Sequence, residues 1–161
     1  PRTPSGQFLN RAAKMTTAGL RAAAYYTQIG GFDTHAQQKN TQARLLGQYA
    51  EGINYLVEEL KQSGEFQNTL IMTFSEFGRR VQQNASAGTD HGTANNLFLI
   101  GEKVKGGFYN DLPDLADLSE GDLKHSLDFR QVYATVLGKW LGADAKAILR
   151  RDFQPLDVLK S

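Results

Sequence analysis

Apolar residues in this chain keep two helical rhythms and form several short unbroken runs. Between Thr41 and Gln62 they recur at Leu45, Leu46, Tyr49, Ile53, Leu56, Val57 and Leu60, the spacing of a one-faced helix. Asn40 or Thr41 can cap its start and Ser63-Gly64 close it. A second stretch places Phe129, Val132, Tyr133, Val136, Leu137, Trp140 and Leu141 inward. It opens on Asp128 as cap with Gln131 as the capping-box partner, and it ends at Gly142. A weaker helical pattern runs from Pro4 to Gly19, and a short one from Asp144 to Leu149.

The unbroken runs read as strands. Thr69 to Phe74 (TLIMTF) and Leu97 to Ile100 (LFLI) do not alternate, as buried parallel strands do not. Leu20 to Ile29 is a third strand candidate, ended by Gly30-Gly31. A strand, the long helix and the TLIMTF strand together predict a right-handed βαβ unit. The expected fold is therefore α/β, a mostly parallel sheet flanked by helices. Gly101 to Asn110 predicts a turn or hairpin, Asp111 to Asp122 a surface loop, and Phe153 to Leu159 a loop or edge strand.

Length and charge narrow the picture only a little. The 161 residues suit a single domain over 1–161, with enough chain for a core. A formal charge of +1 offers no electrostatic basis for binding nucleic acid or a membrane surface. No run approaches membrane-spanning length. With no cysteine, disulfides and thiolate metal sites are excluded and the redox compartment is left open.

The candidate chemistry lies in the loops. Each of the three histidines stands within three residues of an aspartate: Asp33/His35, Asp90/His91 and His125/Asp128. Imidazole with carboxylate is a donor set for Zn²⁺, Mn²⁺ or Fe, and more oxygen shifts it toward Mg²⁺ or Ca²⁺. A further cluster, Ser75-Glu76-Phe77-Gly78-Arg79, follows the TLIMTF strand, at the strand end where ligands of open α/β sheets bind. The same residues have simpler readings. Asp33 can cap a turn, Glu76 and Arg79 can form a surface ion pair, Asp90-His91 can belong to an Asx turn, and Asp128 is already a helix cap. No phosphate loop, serine elbow or cysteine motif is present, so no nucleophile is identified.

The succession GGFDTH, QARLLGQYAEGINYLVEEL, TLIMTFSEFGRR, GTDHGTANNLFLIG, VKGGFYNDLP and DLKHSLDFRQVYATVLGKWLGAD resembles the exported bacterial family catalogued as domain of unknown function 1501. The resemblance runs from about Leu20 to the C-terminus. It implies kinship with the alkaline phosphatase and sulfatase superfamily, whose metal-binding Asp-His-Gly follows a buried strand. By letters that motif falls on Asp90-His91-Gly92; by position after the strand it falls on Ser75-Glu76-Phe77-Gly78, the preferred register. Glu76 then replaces the aspartate ligand and Phe77 the histidine, which removes a ligand. His91 takes a later histidine position, and Asp33 with His35 the pair for the other metal, at closer spacing than usual.

The resemblance thus implies a metal-dependent hydrolase of phosphate or sulfate esters. Asp33, His35, Glu76, Asp90 and His91 would hold one or two divalent cations (Zn, Mn, Mg or Ca). Arg79 would face an oxyanion of a small-molecule ester. The superfamily's nucleophile lies in a part with no match here, so the resemblance implies the C-terminal portion of a longer, periplasmic or exported protein. An incomplete sheet leaves an open edge, and self-association through that edge is expected. The competing expectation is a non-catalytic exported binding or assembly module that kept the fold and lost the chemistry.

Overall fold

The computed structural model describes residues 13–15, 18 and 22–160. The predicted Pro4 to Gly19 helix lies almost wholly outside the described residues; 13–15 are helical. The chain forms two compact units. The first holds the described residues up to Thr69 together with Gln82–Asp90; the second holds Leu70–Val81 and everything from His91 onward.

The first unit is built on one long helix, α1 (Gln38–Gln62). It starts three residues before the predicted cap, because Gln37 takes a left-handed conformation (φ 42°) and turns the chain into the first turn. Leu45, Leu56 and Leu60 are buried on its inner face, each worth roughly 1.5–3 kcal/mol of apolar transfer. Leu46 is 53% exposed, so the apolar stripe is narrower than the sequence pattern implies. The helix ends in a Schellman motif: Gly64 (φ 77°) donates to the Lys61 carbonyl and Glu65 to the Leu60 carbonyl. Residues 24–32 carry no strand, against the expected strand over Leu20 to Ile29. Its three consecutive alanines have little strand preference, and Tyr26 is 76% exposed, so no alternating face is buried.

The second unit contains β1 (Ile71–Thr73) and β4 (Phe98–Ile100), paired antiparallel with Met72 opposite Leu99. Between them in sequence come β2 (Gly78–Gln83) and β3 (Thr89–Gly92), which pair with each other; Gln82–Gln83 and Thr89–Asp90 belong to the first unit. The expected mostly parallel sheet flanked by helices is therefore corrected to small two-stranded sheets. The hairpin between β1 and β4 returns the chain in the opposite sense, which forces antiparallel pairing. Neither β1 nor β4 is fully buried, so their unalternating composition reflects short length rather than burial on two faces.

The predicted surface loop over Asp111 to Asp122 contains a small hairpin, β5 (Leu118–Ser119) against β6 (Asp122–Leu123). Glu120 (φ 52°) and Gly121 (φ 87°) both take positive φ at its tip, as a two-residue hairpin turn requires. Asp128 caps α2 (Phe129–Thr135) by accepting from the Arg130 N–H at 2.9 Å. The capping box does not close: Gln131 Nε2 donates to the Gln154 carbonyl instead. The helix continues in a π-helical turn over Val136–Trp140, and Asp144 caps α3 (Ala145–Leu149). Val132, Ala134 and Thr135 are buried, while Phe129 and Leu141, expected inward, are half exposed. Thr135 joins helix to tail: its hydroxyl donates to the Gln131 carbonyl at 2.7 Å and accepts from the Leu156 N–H at 2.8 Å. The tail then pairs with the 103–105 segment, with Val158 and Leu159 buried. No helix among the described residues is long and apolar enough to cross a membrane.

Candidate functional site

In the first unit, Phe32 to His35 makes a tight turn in which the Thr34 N–H donates to the Phe32 carbonyl at 2.9 Å. Thr34 is buried while its neighbours Asp33 and His35 are exposed, so both functional side chains face outward. His35 Nε2 stands 2.9 Å from Asp33 Oδ1, and its Nδ1 stands 3.5 Å from Asp90 Oδ1. Both nitrogens of one imidazole thus face carboxylates. The side chains are 49% (His35), 64% (Asp33) and 63% (Asp90) exposed. At that exposure an ion pair contributes only about 0–1 kcal/mol, so fold stability does not account for the arrangement.

What assembles the cluster is the turn over residues 84–88. Asn84 Nδ2 donates to the His35 carbonyl at 3.0 Å and to Asp90 Oδ1 at 3.3 Å. Its Oδ1 accepts from the N–H groups of Ser86 and Gly88, both at 3.0 Å. One amide thereby ties the turn, the His35 backbone and the Asp90 carboxylate together. The Gln37 and Gln38 N–H groups donate to the Ser86 and Ala87 carbonyls, fixing the same turn against the start of α1. Gly88 is buried there, and a Cβ on it would stand 2.3 Å from the His35 carbonyl oxygen. Asn84 and Gly88 were not among the predicted site residues. The only sequence signal for them is the turn-forming composition of Asn84-Ala-Ser-Ala-Gly88.

The second unit holds Glu76, Phe77, Arg79 and His91. Glu76 is exposed in the bend between β1 and β2. Phe77 lies flat on His91, with ring centroids 3.9 Å apart and planes 7° apart, and the Arg79 guanidinium stands 5.0 Å from the Phe77 ring. Arg79 is half-buried as the second residue of β2. Among the described residues His125 joins no group of metal-ligand type, and its neighbour Asp128 is committed to the cap of α2 and to Arg130 at 2.6 Å. That pairing holds the Asp128 carboxyl down at about 2; hydrogen bonding from Arg130 is the main cause.

The family model described as "Protein of unknown function (DUF1501)" matches residues 6–151. The chain belongs to this family. As a DUF1501 member it carries no activity by kinship alone, since the family's description assigns none. No curated protein and no solved structure matches it.

Chemically, the two units of this DUF1501 chain offer different things. The first presents two carboxylates and an imidazole, hard and borderline donors suited to a divalent cation. The second presents an imidazole edge, an arginine and a carboxylate.

Proposed function

We propose that this chain is a divalent-metal-binding module of an exported hydrolase that acts on phosphate or sulfate esters, in the manner of the alkaline phosphatases and sulfatases. Asp33, His35 and Asp90, which the first unit brings together, are the metal set. Asp33 and His35 are exposed and each offers one ligand atom. The observation that carries the reading is His35, whose two ring nitrogens both face carboxylates. Histidines that bind metal through one nitrogen usually donate from the other to a carboxylate or carbonyl, which fixes the tautomer and the ring direction.

The donor chemistry fits a divalent cation, which when bound would polarise an ester oxygen and offset negative charge in the transition state. The chain's own residues then have distinct tasks. Asn84 holds the Asp90 carboxylate in place by donating to its Oδ1. One of the two carboxylates beside His35, Asp33 or Asp90, accepts its ring N–H and orients it, and the other would share the cation with the second ring nitrogen. Arg79 offers a planar guanidinium suited to a tetrahedral oxyanion.

A second reading is favoured by one observation. Phe77, which stands at a ligand position of the superfamily in the preferred register, is an apolar ring packed on His91. That suits a binding or assembly module that has lost the chemistry. Hydrolysis assays on the whole protein loaded with Zn²⁺ or Mn²⁺, using phosphate and sulfate monoesters, separate the two. Metal-dependent turnover lost in His35→Ala supports the hydrolase. Metal binding with no turnover on either ester class supports the binding module.

A further inference from the structure

The second unit contains a cleft of about 350 Å³ between the start of α2 and the 151–154 segment. Its shape follows from the chain on both sides. After α3, Arg150 takes a left-handed conformation (φ 56°) and turns the backbone out of the helix. The returning segment is then tied to α2 at two points. Gln131 Nε2 donates to the Gln154 carbonyl at 3.5 Å, and the Leu156 N–H donates to the buried Thr135 hydroxyl at 2.8 Å.

Two guanidinium groups in this cleft share one aromatic ring. Arg130 stands 4.6 Å from the centre of the Phe153 ring and Arg151 stands 5.8 Å from it. Like charges brought to one ring repel each other, and only one of the two is neutralised. Arg130 donates from Nε and Nη2 to the Asp128 carboxylate, at distances of 2.9, 3.1 and 2.6 Å. Arg151 is exposed and, among the described residues, makes no hydrogen bond and no ion pair; its contact is the Phe153 ring.

The charges of the lining decide which anion suits the cleft. Asp128 and Asp152 line it together with Arg130 and Arg151, so positive and negative groups balance. A doubly charged phosphate would meet both carboxylates. A single negative charge spread over two oxygens needs only the guanidinium that has no carboxylate of its own. The planar fork of an arginine matches a carboxylate in two parallel hydrogen bonds. Phe153 offers an apolar wall beside that fork, and the volume is that of a small-ligand site, which begins at about 300 Å³.

We propose that this cleft binds a small organic carboxylate, with its two oxygens on the Arg151 guanidinium and its apolar body against Phe153. The site lies wholly within the second unit and is independent of the metal-binding reading above.

The test uses benzoate as the probe on the whole chain, with backbone amide signals of residues 130, 131 and 151–154 followed by NMR. Benzoate is expected to move these signals saturably, with a Kd on the order of 1 mM for so open a site. Benzamide, which keeps the ring and lacks the charge, is expected to bind at least about tenfold more weakly, as is benzoate to Arg151→Gln. Because Arg151 is exposed, the amide spectrum of Arg151→Gln away from the cleft should match wild type. Signals that benzoate leaves unmoved, benzamide binding as tightly as benzoate, or wild-type affinity in Arg151→Gln would each overturn the proposal. Phenyl phosphate binding more tightly than benzoate would overturn the assignment to a carboxylate.

Discussion

Gly88 meets His35 backbone to backbone: a Cβ added to the glycine would stand 2.3 Å from both the carbonyl carbon and the carbonyl oxygen of His35. Neither side can yield as a flexible side chain would. Gly88→Ala is therefore expected to cost roughly 1–3 kcal/mol, the range for forced overpacking. It should also loosen the Asn84 bridge between His35 and Asp90. Urea unfolding measures the first effect, and a midpoint equal to wild type would show that the turn does not seat as described.

Thr135 is fully buried and polar, with its hydroxyl both donating and accepting. Thr135→Val keeps the shape but leaves the Leu156 N–H without its acceptor. The expected loss is about 1–3 kcal/mol, the cost of an orphaned buried donor. Thr135→Ser should recover most of it. Equal stability of the valine variant would mean that the tail finds another partner.

Acid should act on the second unit through Asp128. Its carboxyl is held at about 2, chiefly by hydrogen bonding from Arg130. A depressed folded value means the stabilisation is complete above the unfolded value of about 3.9 and is lost as pH falls through about 2. Asp157 is lowered in the same direction by Lys105 and adds to the slope. Urea midpoints followed down through this window should fall, and Asp128→Asn should flatten the fall. An unchanged slope in the variant would assign the acid response to other carboxylates.

The β1–β4 sheet has only two strands of three residues each, with Phe74 and Phe98 about half exposed beside it. Two-stranded sheets are marginal in water without further strands or packing, and open edges invite pairing. Light scattering on the purified chain is expected to show concentration-dependent self-association. A strictly monomeric species across the concentration range would contradict it.

The two strongest helices were readable because each combines an apolar stripe with an end signal: Ser63-Gly64 closes α1, and Asp128 opens α2. The parallel sheet was misread for a physical reason. A run such as Thr69 to Phe74 states that a segment is apolar and short, but pairing direction depends on the connection, here a hairpin that no period announces. The Glu120-Gly121 hairpin turn escaped notice because only its second residue is a usual positive-φ residue. Asp33, His35, Asp90 and His91 stood out by residue type. The grouping of His35 with Asp90 could not be read, because Asn84 ties the His35 carbonyl to the Asp90 carboxylate and Gly88 packs on the His35 backbone across about fifty positions of sequence.

The Asp33–His35–Asp90 cluster is expected to bind a divalent cation. Zn²⁺ titration by calorimetry, on wild type and His35→Ala, tests it most directly. Saturable binding in wild type, lost in His35→Ala, is the predicted result. Wild type that takes up no Zn²⁺, or a His35→Ala variant that binds it as tightly as wild type, would contradict it.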